Sequence, residues 1–401
     1  MSSYDVYKVR LDFPLLSRNI IYFDNAATSL TPRQVVNAMV SYLLECRANV
    51  GRGSYRLAYQ ATSMYEEVRR KVSRFIGARL ASEVVFVKNT TEAINIVAMG
   101  LKWRRGDNVV TTTLEHHSNM LPWIKASNLY GVEVRFVKPR RDGTLAPEEF
   151  ERLIDENTRI VSITHVSNVL GTISPVREIS KIAKSRGALL LIDAAQSAPH
   201  MPISVKEIDC DFLAFSAHKM CGPPGVGVLY IKDEVQVDEF MVGGGMVSDA
   251  SLNGYKPLDK PYVFEAGTPP ISDVIGLGAA IDYISRLGLM NIMEHEIRIA
   301  KMLRKLLEDV PGIRVLGPPE PQTGIISFAV NDIKAEDVAL ALGNLDICVR
   351  AGFHCAIPLV RDFLNEKLGV IRASLYLYNT EEEVERFISS LREVIRLFRA
   401  S

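Results

Sequence analysis

Between residues 83 and 232 short apolar runs alternate with stretches of helical period. The spacing predicts strands at 82–87, 108–112, 132–137, 159–164, 188–193, 212–215 and 226–231. Helices are predicted between them at 91–101, 118–130, 147–154 and 175–186. In the first helix Ile94, Val97, Ala98 and Leu101 recur on one face, the stripe that covers a sheet. The run 188–193, ALLLID, is apolar up to its last residue, as suits a strand covered on both faces. Strands alternating with helices imply an α/β fold, a large domain whose mostly parallel sheet is flanked by helices. Beyond Lys232 the pattern changes. Glycines 243–245 and the stretch to Pro270 read as loop. A helix from Ile275 to about Ala300, broken near Gly288, leads into a smaller C-terminal α+β domain. Its expected strands are 324–329 and 347–350, and its last helix is 381–399. The predicted division is a large domain over 16–264 and a small one over 265–401, with 1–15 packed on the small one.

Charge narrows the field of partners. Lysine plus arginine and aspartate plus glutamate number 47 each, so no net field draws nucleic acid or an anionic membrane. The N-terminal residues MSSYDVYKVRLDF lack the apolar stretch of a signal peptide, and the longest apolar runs are far short of a bilayer span. A cytoplasmic protein is expected. The five cysteines are odd in number and contain no CxxC pair, which argues against a disulfide framework and a thiolate zinc site.

Sheets of this kind bind ligands just beyond the carboxyl ends of their strands. Three polar clusters fall there. Asn89-Thr90-Thr91-Glu92 can be an ordinary capped helix start, or a phosphate cradle of free N–H groups and hydroxyls. Asp193 and Gln196 close the apolar run 188–193; the carboxylate is either solvated or paired with a buried cation. Ser216-Ala217-His218-Lys219 follows the strand FLAF. Surface lysines are commoner, but a lysine desolvated in a crevice has a lowered pKa and attacks aldehydes. Asp193 precedes Lys219 by 26 residues, one crossover, so both can reach one crevice.

Glu115-His116-His117 follows a further strand. An imidazole there can stack on a planar ligand; a metal is disfavoured because no third ligand stands at suitable spacing. Arg350 stands five positions before Cys355, and His354 adjoins it, company that favours a thiolate. An inert thiol suits Cys348 better. Gly222-Pro-Pro-Gly225-Val-Gly227 lacks the GK[ST] of a P-loop, and Ile299 stands where His295 would need a second zinc histidine.

Taken together these residues resemble the class V aminotransferases among fold-type-I pyridoxal-phosphate (PLP) enzymes. Within them they are similar to the SUF-type (group II) cysteine desulfurases and the related selenocysteine lyases. The likeness runs from Tyr22 to about Arg396 through nine segments in family order. They are YFDNAATS (22–29), TTEAIN (90–95), EHHSNMLPW (115–123), THVSNVLGT (164–172), DAAQSAPH (193–200), DCDFLAFSAHKMCGPPGVGVLY (209–230), FEAGTP (264–269), RAGFHCA (350–356) and RASLYLYNT (372–380). The chain departs from the family at Phe353, where histidine is usual, at Gly243–Asp249, which lacks a glutamate, and at Tyr55, which ends the segment RGSY.

The resemblance implies a role for each residue. Lys219 would hold PLP covalently, Asp193 would face the pyridine nitrogen, and His116 would stack on the ring. Thr90, Thr91, Ser216 and His218 would hold the phosphate and Gln196 the phenolic oxygen. Asn168 would face both ring and substrate, and Thr268 would reach the phosphate of the other subunit of a homodimer. Arg372, assisted by Arg350, would bind the carboxylate of L-cysteine. Cys355 would take the sulfur as a persulfide, leave alanine, and pass the sulfur to a protein acceptor or iron–sulfur scaffold. A selenocysteine lyase, or a class V transaminase in which Cys355 is incidental, is the alternative.

Overall fold

The apolar run that ends at Asp193 holds the centre of the larger sheet in the computed structural model, which describes residues 4–400. Residues 1–3 of the predicted N-terminal segment lie outside the described residues. The strands are β1 (Ile21–Tyr22), β2 (Val84–Val87), β3 (Asn108–Thr112), β4 (Glu133–Val137), β5 (Thr158–Thr164), β6 (Leu189–Asp193), β7 (Phe212–Ser216) and β8 (Gly227–Ile231). They continue as β9 (Val247–Ser251), β10 (Gly254–Pro257), β11 (Ile313–Val315), β12 (Ile325–Val330), β13 (Ile347–Cys348), β14 (Arg350–Gly352) and β15 (Val370–Ser374).

Seven strands form the larger sheet in the order β2-β8-β7-β6-β5-β3-β4. Only β8 runs antiparallel, against both β2 and β7. The fold is therefore α/β with a mostly parallel sheet and helices on its faces. Two apolar clusters sandwich that sheet. One, with Val110, Val161, Ile163, Leu190, Ile192 and Leu213, packs on helices including Arg56–Ile76 and Val176–Ser185. The other, with Val109, Ile160, Leu191, Phe212 and Ala214, packs on helix Thr90–Gly100 and Trp123. Adjacent residues of one strand thus serve opposite clusters, which is why these strands read as unbroken apolar runs.

A four-stranded antiparallel sheet, β11-β12-β15-β14, carries the C-terminal core with Leu303, Phe328, Phe387 and Leu391. The N-terminal segment runs along this side. Arg10 Nη1 donates to Tyr378 O at 2.6 Å and to Glu383 at 2.7 Å. β1 pairs in parallel with β13, and Asp24 bridges to Ser374. Among the described residues no helix is long and apolar enough to cross a membrane.

Two expectations change. The loop read from 243 to 270 contains the hairpin β9–β10. Both its strands are exposed on both faces, so no alternation of apolar and polar residues marked it. The single strand expected at 347–350 is two: β13 joins β1, and β14 joins β15. Each piece is too short to show a period. The helical break near Gly288 stands, since that glycine, at φ +83°, separates helices Ile271–Leu287 and Leu289–Glu308.

Candidate active site

The site grows from the turns that follow β2, β3, β5, β6 and β7. Asn89 caps helix Thr90–Gly100 by accepting from Glu92 N at 3.0 Å, and the Glu92 carboxylate reaches back to Lys88 N. The helix start is therefore fixed, and Asn89, Thr90 and Thr91 line the cleft. Ser216, at the end of β7, accepts from Thr90 N at 2.9 Å and shares a 2.8 Å bond with the Thr90 hydroxyl. Thr91 pairs with Ser118 at 2.7 Å, tying this helix to the start of the next. Gly227 lies between Val87 and Ser216, where a Cβ would stand 2.7 Å from both Asn89 Cα and Phe215 O. Glycine is needed for the strands to bring this cradle together.

Asp193 is buried, 4% exposed, and its carboxylate accepts from Ala195 N at 2.9 Å. Burial raises its pKa, opposed by that N–H and by Lys219. Such a carboxylate calls for a cationic partner. Lys219 stands in the same cleft, and burial lowers its amine to about 8 although Asp193 pulls the other way. His116 caps helix His117–Tyr130, its Nδ1 accepting from Ser118 N at 3.1 Å. Burial and the nearby Lys219 hold it at about 3, so the ring stays neutral. His218 is likewise held at about 4 by burial and Lys219. Gln196 Nε2 donates to Ala26 O at 2.7 Å, and its Oε1 is buried without a partner.

The opposite wall comes from the C-terminal half. Arg372 is buried; desolvation lowers it to about 10, so it remains a cation at neutral pH. Its Nη1 donates to Asn168 O at 2.8 Å and its Nη2 reaches Asp24 at 3.4 Å, while Nε has no partner. Arg350 grips Asp24 through Nε at 3.1 Å and Nη2 at 3.0 Å. Cys355 is exposed at the mouth. The other thiols differ: burial raises Cys221 to about 12 and pushes Cys210 higher still, and Cys348 is also raised.

One cleft of about 330 Å³ collects twelve of the thirteen expected residues: Thr90, Thr91, His116, Asn168, Asp193, Gln196, Ser216, His218, Lys219, Arg350, Cys355 and Arg372. Thr268 is exposed and lines a different cleft with Arg52, Tyr65, Gly245 and Glu265. These side chains fit PLP. Among the described residues the buried Asp193 carboxylate forms no ion pair, Gln196 Oε1 lacks a donor, and a helix start with hydroxyls offers an anion cradle. Residues 21–387 match the model of the family described as aminotransferase class-V. The chain belongs to that family.

Relatives of this class V chain agree. It is 46% identical over 391 residues to a probable cysteine desulfurase of Methanothermobacter thermautotrophicus, covering 96% of this chain and 97% of that one. It is 42% identical to a probable cysteine desulfurase of Synechocystis, over 97% of this chain and 96% of the other. The apo structure of a cysteine desulfurase from Thermococcus onnurineus NA1 superposes with a TM-score of 0.94 at 44% identity, covering 99% of this chain and all of that one. The protein is a PLP-dependent enzyme.

One expectation is corrected. The charge around Cys355 does not come from His354, whose Nε2 lies 3.0 Å from Val370 O and whose pKa burial lowers to about 3. The cations that share the cleft of Cys355 are Lys219, Arg350 and Arg372. Three participants, Asp24, Ser118 and His117, received no role from the sequence. All lie in the segments 22–29 and 115–123 that carry the resemblance, but their partners are remote in the chain.

Proposed function

We infer that the protein is a cysteine desulfurase of the SUF type, in which Cys355 receives the sulfur of L-cysteine. The observation that carries the reading is the exposed Cys355 sharing one cleft with Lys219, Asp193 and Arg372. When bound, PLP supplies an electron sink for the pair left at the substrate's α-carbon. Asp193 would face its ring nitrogen, His116 its ring face, and Thr90, Thr91, Ser216 and His218 its phosphate. Gln196 would meet the phenolic oxygen and Asn168 the substrate side.

Arg372 offers its free Nε to the substrate carboxylate. Arg350 has two donors engaged by Asp24, so it braces the acid clamp more than it binds. Lys219, lowered to about 8, is neutral in a useful fraction near neutral pH and carries the α-proton. Cys355 Sγ attacks the substrate sulfur: an S–S bond forms, the Cβ–S bond breaks, and protonation of the remnant gives alanine. Cys355 keeps the persulfide until an acceptor removes it.

A homodimer completes this picture. Val36, Val40, Leu43 and Leu44 are exposed on helix Arg33–Glu45, and Thr268 lines a cleft other than that of Lys219 in its own chain. We assign Thr268 to the phosphate of the neighbouring subunit, the sulfur to a protein acceptor serving iron–sulfur assembly, and the enzyme to the cytoplasm. The test is alanine and sulfide release from L-cysteine under a thiol reductant, with Cys355→Ala beside the wild type. Equal yields that vanish in the variant are expected; undiminished release by Cys355→Ala would overturn the reading.

A further inference from the structure

We propose that His117 is a positioning residue for Cys355, its imidazole and its backbone N–H together holding the strained turn that carries the thiol. The proposal rests on the reading of Cys355 as the sulfur acceptor. His354 and Cys355 both adopt left-handed backbone, at φ +49° and +53°. Residues with side chains seldom enter that region, and two in succession persist only where their surroundings hold them.

His117 supplies two of those holds. It is the first residue of helix His117–Tyr130, so its N–H has no acceptor within the helix. That N–H donates to Cys355 O at 2.6 Å. Its ring Nε2 accepts from Ile357 N at 3.2 Å. The two bonds bracket the turn, one at Cys355 and one two residues later. Asn168 Nδ2 adds a third by donating to His354 O at 2.9 Å. Acceptance at Nε2 requires a neutral ring with its proton on Nδ1. Burial keeps His117 below its usual pKa, which favours that form. The adjacent His116 is committed elsewhere: its Nδ1 holds Ser118 N and its ring lines the cleft. The two histidines, 6.5 Å apart between ring centres, thus divide the labour.

The arrangement matters because sulfur transfer needs the thiol in line with a substrate held by other residues. Arg372 is anchored on Asn168 O and Asp24, independently of His117. Loss of the His117 ring should therefore misplace the nucleophile without loosening the substrate. A displacement of an ångström can cost up to about 100-fold in rate.

The test compares His117→Ala and His117→Gln in holoenzyme. A glutamine Oε1 reaches the position of Nε2 and accepts the Ile357 N–H; alanine cannot. Amide hydrogen exchange is followed over residues 353–360, and kcat and KM are measured for L-cysteine. Alanine is expected to speed exchange at Ile357 and lower kcat, each about tenfold or more, with KM nearly unchanged. Glutamine is expected to restore most of both. Unchanged exchange in His117→Ala, or glutamine as impaired as alanine, would overturn the proposal. Wild-type enzyme that yields no alanine would instead sink the desulfuration reading, while exchange at Ile357 would still decide the clamp.

Discussion

At the scale of single residues, environment separates groups of identical chemistry. Lys219 is lowered to about 8, so uptake of PLP by the apoenzyme should accelerate as pH rises through that value, well below the range of an ordinary lysine. The rate, followed by visible absorbance, should level off above it; a rise that continues to pH 10 would show an unperturbed amine. The sequence made Asp193 and Lys219 legible because one ends an apolar strand and the other closely follows one, where a charge stands out. It could not show that His354 is neutral, since the burial responsible comes from tertiary packing outside any local pattern, and outweighs the hydrogen bond to Val370 O that favours the charged ring. Nor could it pair Asp24 with Arg350, 326 residues away.

At the scale of elements, buried polar joints keep strand ends and helix starts in register. Glu115 lies between β3 and helix His117–Tyr130 and is buried. It accepts from the Thr112 hydroxyl at 2.6 Å, Asn119 Nδ2 at 2.6 Å and Thr164 N at 3.1 Å. Burial nonetheless raises it to about 8. Glu115→Gln places an amide against Asn119 Nδ2. Asn119 cannot turn, because its Oδ1 holds Ser162 at 2.6 Å and Trp123 at 3.3 Å. The variant should lose about 1–3 kcal/mol, read as a lower thermal midpoint. Gly227→Ala should act on the phosphate cradle instead, because the new Cβ meets the backbone of Asn89 and Phe215. A cost of about 1–3 kcal/mol, together with weaker PLP retention in equilibrium dialysis, is expected. The exposed hairpin β9–β10 escaped the sequence reading for the opposite reason: it buries almost nothing, so burial wrote no period into it.

At the scale of the whole molecule, the segment bearing Thr268 is anchored by a buried ion pair. Arg69 donates to both oxygens of Glu265, at 2.6 and 2.9 Å, and to Val84 O at 2.7 Å. Glu265 also accepts from Phe86 N at 2.8 Å and Tyr65 at 3.0 Å. Helix Arg56–Ile76, the edge strand β2 and the chain approaching Thr268 meet at this point. Glu265→Ala leaves the buried Arg69 paired with Glu66, at 3.0 Å, but strips the Phe86 N–H and the Tyr65 hydroxyl of their acceptor, and should cost about 1–3 kcal/mol, measurable by denaturant unfolding. If Thr268 serves the other subunit, mixed dimers of Lys219→Ala and Thr268→Ala chains contain one intact site. At limiting PLP they should recover about half the wild-type activity per dimer. No recovery beyond the parent variants would place Thr268 outside the shared site. The sequence named Thr268 through resemblance alone, because a residue proposed to act across an interface leaves no local signal in its own chain.

The joining of Asp24 to Arg350 and Arg372 also sets an order of events during synthesis. β1 has no strand to join until β13 has been made, and Asp24 waits 348 positions for Arg372. A nascent chain therefore carries Lys219 and Asp193 well before Cys355 and Arg372 are added. Until then it lacks both the guanidinium assigned to the substrate's acid group and the thiol assigned to its sulfur. Translation thus adds the groups assigned to sulfur transfer after those assigned to the cofactor.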